Sequence, residues 1–120
     1  MDIRSKFDVE EMKCKCGCGL IIVSRALLRK LAAARIIFDG PIRITSWCRC
    51  EDHNKAEGGS STSSHLYGEA VDLECNNSYR RFILLNALLK AGFTRIGLNV
   101  DYIHVDIDAV RPKNAIWVRG

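Results

Sequence analysis

Two segments of the chain carry apolar residues at the spacing of an α-helix. The first extends from Arg25 to Phe38, after Ser24, which suits a helix N-cap, and before Gly40-Pro41, which ends the pattern. The second extends from Tyr79 to Lys90 after a Ser78 cap. We predict a helix over each segment. The predicted buried stripes are Leu27, Leu28, Leu31 and Ile36 in the first helix, and Phe82, Leu85, Leu88 and Leu89 in the second.

Short alternating segments predict β-strands on either side of the second helix. In Ala70 to Glu74, Val71 and Leu73 should face the core, which places Asp72 on the polar face. Trp47 to Ser64 is polar and is predicted to be a long loop. The predicted strands are Ile42 to Thr45, Ala70 to Glu74, Thr94 to Leu98, Ile103 to Ile107 and, as an edge strand, Ala115 to Val118.

These elements predict an α+β fold, a small and mostly antiparallel sheet with two main helices packed on one side. The 120 residues are enough for one domain and too few for two ordinary ones. We therefore expect a single domain over residues 1–120, with a cysteine-rich N-terminal segment, residues 1–23, packed on it.

Composition narrows the class of protein. The chain is 48% hydrophobic and 27% charged, as expected for a globular protein. Its net charge of +4 mildly favours anionic partners, but the basic residues are scattered and no aromatic residues interleave with them, so we expect no nucleic-acid binding. The apolar runs are too short for membrane insertion, and the polar N-terminus lacks a signal-peptide core. We expect a monomer that is cytoplasmic as synthesised.

Six cysteines allow three interpretations. Residues two apart are poorly placed to bridge each other, so a disulfide would link the two clusters. A structural zinc would have to accept C-x-C pairs in place of the usual C-x2–4-C spacing. Free buried thiols are the third interpretation. The clusters are Cys14, Cys16 and Cys18, then Cys48 and Cys50, and Cys75 stands alone.

Two histidines and a carboxylate could hold one metal ion. Asp72 and His104 each lie on the polar face of a predicted strand, so neighbouring strands would direct both into one groove. His65 precedes Asp72 by seven residues, and Gly68 would permit the tight turn that brings it back. Two nitrogen donors and one carboxylate suit zinc and leave one position open. Asp106 shares the face of His104 and could brace it.

The pattern Ser63-x-His65-x-x-Gly68-x-Ala70-x-Asp72, followed by Asp101-x-x-His104, resembles one known family. It is similar to the zinc D-Ala-D-Ala carboxypeptidases and L-alanyl-D-glutamate endopeptidases, cell-wall peptidases that share a fold with the hedgehog signalling domain. The resemblance covers residues 7 to 108 and is greatest for small phage or prophage-type members. Further matching segments are Pro41-Ile42-x-Ile44-Thr45-Ser46-x-x-Arg49, His53-Asn54, Gly58-Gly59, Phe93-x-Arg95-Ile96-Gly97, Ile103-His104-Val105-Asp106 and the N-terminal Cys-x-Cys-Gly-Cys-Gly.

The resemblance implies a role for each site residue. His65, Asp72 and His104 match the zinc ligands of the family. Asp101 would be the general base, and Arg49 would hold a substrate carboxylate or carbonyl. Tyr102 stands where carboxypeptidase members often have His, and Trp47-Cys48 replaces a Gly-aromatic pair. Asp101 is also an odd number of residues from His104, so it must lie in the turn, or a bulge must redirect it.

The sequence thus predicts a zinc metallopeptidase that hydrolyses a peptide bond in peptidoglycan stem peptides. It would be a D,D-carboxypeptidase or an endolysin-like L-alanyl-D-glutamate endopeptidase, acting at the cell wall or periplasm if phage-encoded. One alternative is a non-catalytic zinc-containing binding module on the same fold. Another is a redox or structural zinc protein that holds its metal on Cys14, Cys16, Cys18 and Cys48.

Overall fold

The computed structural model describes residue 7, residues 9–60 and residues 62–119. Within them the chain forms helices and five strands in an α+β arrangement, as predicted. The helices are α1 (Val9–Met12), α2 (Arg25–Phe38), α3 (Glu51–Ala56) and α4 (Ser78–Lys90), with a 3₁₀ helix at Ser64–Tyr67. The strands are β1 (Ile44–Ser46), β2 (Ala70–Glu74), β3 (Arg95–Leu98), β4 (Tyr102–Asp106) and β5 (Ala115–Val118).

The five strands form one sheet in the order β1-β2-β4-β3-β5. All neighbouring pairs are antiparallel except β3 and β5, which run parallel. The central pair, β2 and β4, places Asp72 directly opposite His104. Because side chains alternate along a strand, both residues project from the same face of the sheet.

The opposite face of the sheet is covered by α2 and α4. Val71 and Leu73 of β2 join Ile103 and Val105 of β4 in one apolar core. The helices contribute five buried leucines to that core, namely Leu27, Leu28, Leu31, Leu84 and Leu88. The sheet therefore has an apolar face under the helices and a polar face that is available for chemistry.

The predicted helical stripes are only partly correct. Ile36 of α2 is 59% exposed, and Phe82 and Leu89 of α4 are 71% and 47% exposed. In α4 the buried residues are Leu84, Ala87 and Leu88, which define a face that points away from Phe82. The N-cap of α4 is Asn77, whose side chain accepts the backbone N–H of Arg80, and not the predicted Ser78.

The predicted loop from Trp47 to Ser64 is also wrong, because it contains helix α3. Cys50 caps this helix, its Sγ accepting the backbone N–H of His53, and Glu51 and Asp52 occupy the first turn. The strand boundaries differ by one or two residues at β1, β3 and β4, whereas β2 and β5 have the predicted bounds.

The segment before α2 packs on this fold through a few side chains. The Phe7 ring meets the buried Trp47 edge-on at 5.8 Å, and Met12 joins the same core. Farther along, the backbone N–H of Ser24 donates to the carbonyl of Gly68. In the described part of the chain, none of the helices has both the length and the apolarity needed to cross a bilayer.

Candidate metal centre and active site

The structure brings His65, Asp72 and His104 together on the polar face of the sheet. One possible ligand atom from each lies within 4.8 Å of the others. Asp72 Oδ1 is 3.4 Å from His65 Nε2 and 3.0 Å from His104 Nδ1. All three side chains are buried, with exposures of 2%, 7% and 6%. A carboxylate oxygen between two imidazole nitrogens is a donor set that suits zinc.

His65 presents a free ring nitrogen to this centre. Its Nδ1 lies 2.6 Å from the carbonyl oxygen of Trp47, so Nδ1 carries the proton and donates it there. Nε2 then bears a lone pair. Among the described residues it is one of two buried side-chain nitrogen or oxygen atoms without a hydrogen-bond partner. A bound cation would provide a partner both for this nitrogen and for the buried carboxylate beside it.

His104 lies between two carboxylates. Its Nε2 is 2.8 Å from Asp106 Oδ2, and its Nδ1 is 3.0 Å from Asp72 Oδ1. Arg95 Nε in turn donates to Asp106 Oδ1 at 2.7 Å. If Nε2–H donates to Asp106, Nδ1 faces Asp72 as a lone pair, and a cation between them removes the repulsion. Asp106 therefore orients His104, as its place on the same face of the strand suggested.

The electrostatics of the centre follow from these contacts. Burial opposes ionisation of Asp72, but the imidazoles of His104 and His65 that face its carboxylate outweigh burial and hold the pKa of Asp72 well below its usual range. Burial opposes charging of His104, yet the carboxylates of Asp106 and Asp72 raise its pKa. Burial likewise opposes ionisation of Asp106, whose pKa is nevertheless lowered by His104 and Arg95. Both carboxylates are thus held as anions, ready to balance a cation.

The 3₁₀ helix positions His65. Ser63 caps it by accepting the backbone N–H of His65, and the carbonyl of His65 accepts the backbone N–H of Arg49. The helix ends at Gly68 with φ of +65°, the left-handed turn for which glycine was predicted. A Cβ on Gly68 would lie 2.0 Å from the carbonyl oxygen of Ile22, so this turn also requires glycine for space.

Arg49 lies beside the metal centre, held by three neighbours. Its Nη2 is 3.6 Å from Asp72 Oδ2, its Nε donates to the Ser46 hydroxyl, and its Nη1 donates to Asn54 Oδ1. Asn54 is buried and donates to the carbonyl of Ser60. The guanidinium is therefore oriented before any substrate arrives, which favours binding of a carboxylate or carbonyl oxygen.

Asp101 and Tyr102 lie at the start of β4. Asp101 is exposed and sits in the turn before the strand, so strand alternation does not set the direction of its side chain. Its backbone is anchored, since its N–H donates to Asn99 Oδ1 and its carbonyl accepts from Cys75. Its carboxylate is not part of the cluster formed by the three ligand candidates. Tyr102 is half-buried and lines the same hollow as Asp72 and Arg49.

A groove made of two adjoining hollows leads to the centre. The hollows, of about 200 and 310 Å³, share Arg49, Gly58, Gly59 and Arg119. The first contains His65 and His104, and the second contains Asp72 and Tyr102. The charged side chains of the lining are mostly basic, namely Lys15, Arg49, Arg95, Arg111 and Arg119 against Glu57, Asp72 and Asp106.

Sequence reasoning missed the contribution of β5 to this groove. Gly97 pairs with Trp117 across the parallel β3–β5 ladder and directly opposes His104 on β4. A Cβ on Gly97 would lie 2.8 Å from the Trp117 indole nitrogen, so glycine leaves room for the ring. The indole packs 5.7 Å from the His104 ring and under the Arg95 guanidinium. Alternation in the edge strand could have placed Trp117 on a face, but not beside His104.

A second cluster of potential ligands lies where the N-terminal segment meets the start of α3. It consists of Cys14, Cys16, Cys18 and Cys50, whose sulfurs lie within 4.8 Å of one another. The set predicted for a cysteine-bound metal included Cys48 in place of Cys50, and that choice is wrong. The buried Cys48 thiol donates instead to the carbonyls of Met12 and Leu20.

The chain matches the family model described as Peptidase M15 over residues 5–108. That match spans most of the 120 residues and includes the three ligand candidates. The chain belongs to the peptidase M15 family. Comparison with curated proteins gave no match. Membership of a peptidase family agrees with the geometry of the centre, in which two histidines and one carboxylate face a groove.

Proposed function

We propose that this member of the peptidase M15 family is a zinc-dependent hydrolase of peptidoglycan stem peptides. The observation that carries the proposal is the orphaned Nε2 of His65, which faces Asp72 and His104 at the base of the groove. His65, Asp72 and His104 would hold the zinc. When bound, zinc would lower the pKa of a coordinated water and polarise a peptide carbonyl.

The chain's own residues would complete the reaction. We assign to Asp101 the acceptance of a proton from the attacking water and its delivery to the leaving amine. The support for this role is its position three residues before His104, in a turn that leaves its carboxylate exposed. Tyr102 would donate a hydrogen bond to the developing oxyanion, and Arg49 would bind a substrate carboxylate or carbonyl.

The basic groove supports a stem peptide as substrate. Stem peptides carry free carboxylates, and Arg49 and Arg119 line both hollows of the groove. Arg49 lies 3.6 Å from Asp72, whose charge a bound zinc would share, so its guanidinium would become available to an anionic ligand. A cell-wall site of action follows from the substrate and is part of the same proposal.

Mass spectrometry of purified muropeptides before and after incubation with the zinc-loaded protein tests this function. Loss of a terminal D-alanine would identify a D,D-carboxypeptidase, and separation of L-alanine from D-glutamate would identify an endopeptidase. Binding of muropeptides without any cleavage would overturn the proposal and favour a non-catalytic binding module on the same fold.

The role of Asp101 has a separate test. Asp101→Asn should retain zinc and muropeptide binding but lose most hydrolysis, by about 10²- to 10⁴-fold for a general base. Asp52→Asn is the matched control, because Asp52 is exposed in the first turn of α3. Equal turnover by the two variants would exclude Asp101 as the base while leaving the metal centre intact.

A further inference from the structure

We propose that Cys14, Cys16, Cys18 and Cys50 bind a structural zinc ion, separate from the His65, Asp72 and His104 centre. The inference uses different residues and does not depend on the proposed peptidase reaction. It assigns a role to the cysteine-rich segment, which the hydrolytic site leaves unused.

The distances between the sulfurs fit a tetrahedral thiolate site. Cys16 Sγ is 3.5 Å from Cys14 Sγ and 3.6 Å from Cys50 Sγ, and all four sulfurs lie within 4.8 Å of one another. With zinc–sulfur bonds of about 2.3 Å, the sulfurs of a tetrahedral site lie about 3.8 Å apart. The four sulfurs are thus close enough together to bind one zinc ion.

The backbone brings together cysteines that an extended chain would separate. In a strand, Cys14 and Cys18 would be about 13 Å apart. Here Gly17 and Gly19 have φ of +88° and +84°, and the N–H of Cys14 donates to the carbonyl of Leu20 at 2.9 Å. This turn explains how a C-x-C-x-C segment can supply three ligands despite its unusual spacing.

Hydrogen bonding separates the ligand sulfurs from Cys48. The backbone N–H of Cys50 donates to Cys14 Sγ at 3.4 Å, and that of His53 donates to Cys50 Sγ at 3.3 Å. Sulfur atoms that accept backbone N–H groups are stabilised as thiolates, the form that binds metal. Cys48 instead donates its thiol proton to two carbonyls, as a neutral thiol does.

The site would connect the N-terminal segment to the groove. Three ligands precede α2, and the fourth, Cys50, caps α3 and directly follows Arg49. Four thiolates leave no open position, which is the arrangement of structural zinc sites. The ion would therefore anchor residues 14–18 against the loop that carries Arg49, and would itself take no part in hydrolysis.

Metal analysis of the full chain, purified under reducing conditions, tests the proposal. We expect two zinc ions per wild-type chain and one in Cys50→Ser. Cys48→Ala is the matched control, because its sulfur is close in sequence but donates to carbonyls, and it should keep both. His65→Ala should keep the thiolate zinc, so failure of the hydrolytic centre and failure of this site give different results.

Cobalt substitution of the wild-type chain gives a test that does not require any cysteine variant to fold. A thiolate-bound cobalt should produce sulfur-to-metal charge-transfer absorption, and the same bands should persist in His65→Ala. Absence of these bands, a zinc content that Cys50→Ser leaves unchanged, or a mass deficit that shows disulfides among the four cysteines would overturn the proposal.

Discussion

The two clusters of potential metal ligands are built in contrasting ways. His65, Asp72 and His104 are buried, and two of them lie on the paired central strands of the sheet. In the cysteine cluster Cys16 and Cys18 are exposed, and three of the four sulfurs come from one turn. The first set has three members and opens into a groove, whereas the second has four.

This contrast relates ligand number to role. Three protein ligands leave zinc a position for water or substrate, and a rigid sheet can hold such an incomplete site open. Four protein ligands complete the coordination of zinc, so the ion can hold even a surface loop in one conformation. We therefore assign the proposed chemistry to the sheet face and the proposed structural ion to the cysteine turn.

The largest expected effect is the loss of chemistry when Asp72 becomes Asn. The neutral amide removes the anion between two imidazoles, so the centre should lose zinc, and hydrolysis should fall at least about 10³-fold, since metal catalysis contributes several kcal/mol. Zinc content and turnover are measured together. If Asp72→Asn kept its zinc and the activity of the wild type, the assignment of the chemistry to the first cluster would be contradicted.

Replacement of Arg49 should act mainly on substrate binding. A lost hydrogen bond to a charged group costs about 1.5–3 kcal/mol, so kcat/KM of Arg49→Met should fall about 10- to 100-fold, mostly through KM. Arg43→Met is the control, because Arg43 is exposed and pairs with Glu74. A KM equal to that of the wild type would argue against contact between Arg49 and the substrate.

Asp106→Asn should weaken the metal centre without removing a ligand. It replaces one carboxylate oxygen in the Arg95–Asp106–His104 chain, and loss of such an orienting partner typically lowers metal affinity about 10- to 100-fold. Competition with a chelator measures this affinity. The cysteine site should be unaffected, and equal weakening of both sites would point to general destabilisation of the fold.

The smallest expected effects are on the free energy of unfolding, when alanine replaces a glycine at positive φ. Gly58→Ala and Gly68→Ala both place alanine at positive φ, but a Cβ meets nothing within 4 Å at Gly58, whereas at Gly68 it would overlap the carbonyl of Ile22. Urea unfolding should show a cost of about 1–2 kcal/mol at Gly58 and clearly more at Gly68. Equal losses of unfolding free energy would mean that the backbone at Ile22 moves to accommodate the new Cβ without strain.

Much of the sheet could be predicted from the sequence, because alternation is a local signal. The bounds of α2, β2 and β5 agree with prediction, and the polar faces of Asp72 and His104 follow from parity alone. The face of α4 that is buried could not be predicted in this way. Phe82 fits an apolar stripe as well as Leu84 does, and packing against the sheet and α2 decides between them.

The site was less predictable where it depends on contacts between distant segments. Helix α3 begins at a cysteine cap, which lacks the usual N-cap signature. The proximity of Trp117 to His104 depends on the parallel pairing of β5, and the exchange of Cys50 for Cys48 depends on the α3 cap. Neither tertiary contact leaves a periodic pattern in the sequence.

The most direct test of the account compares wild type and His65→Ala, each loaded with zinc, on one purified stem peptide. His65→Ala loses the orphaned nitrogen while the cysteine cluster stays complete. The account predicts cleavage by the wild type, and none by the variant, although the variant still holds one zinc ion. Cleavage by His65→Ala at the wild-type rate would show that the chemistry does not take place at the His65, Asp72 and His104 centre.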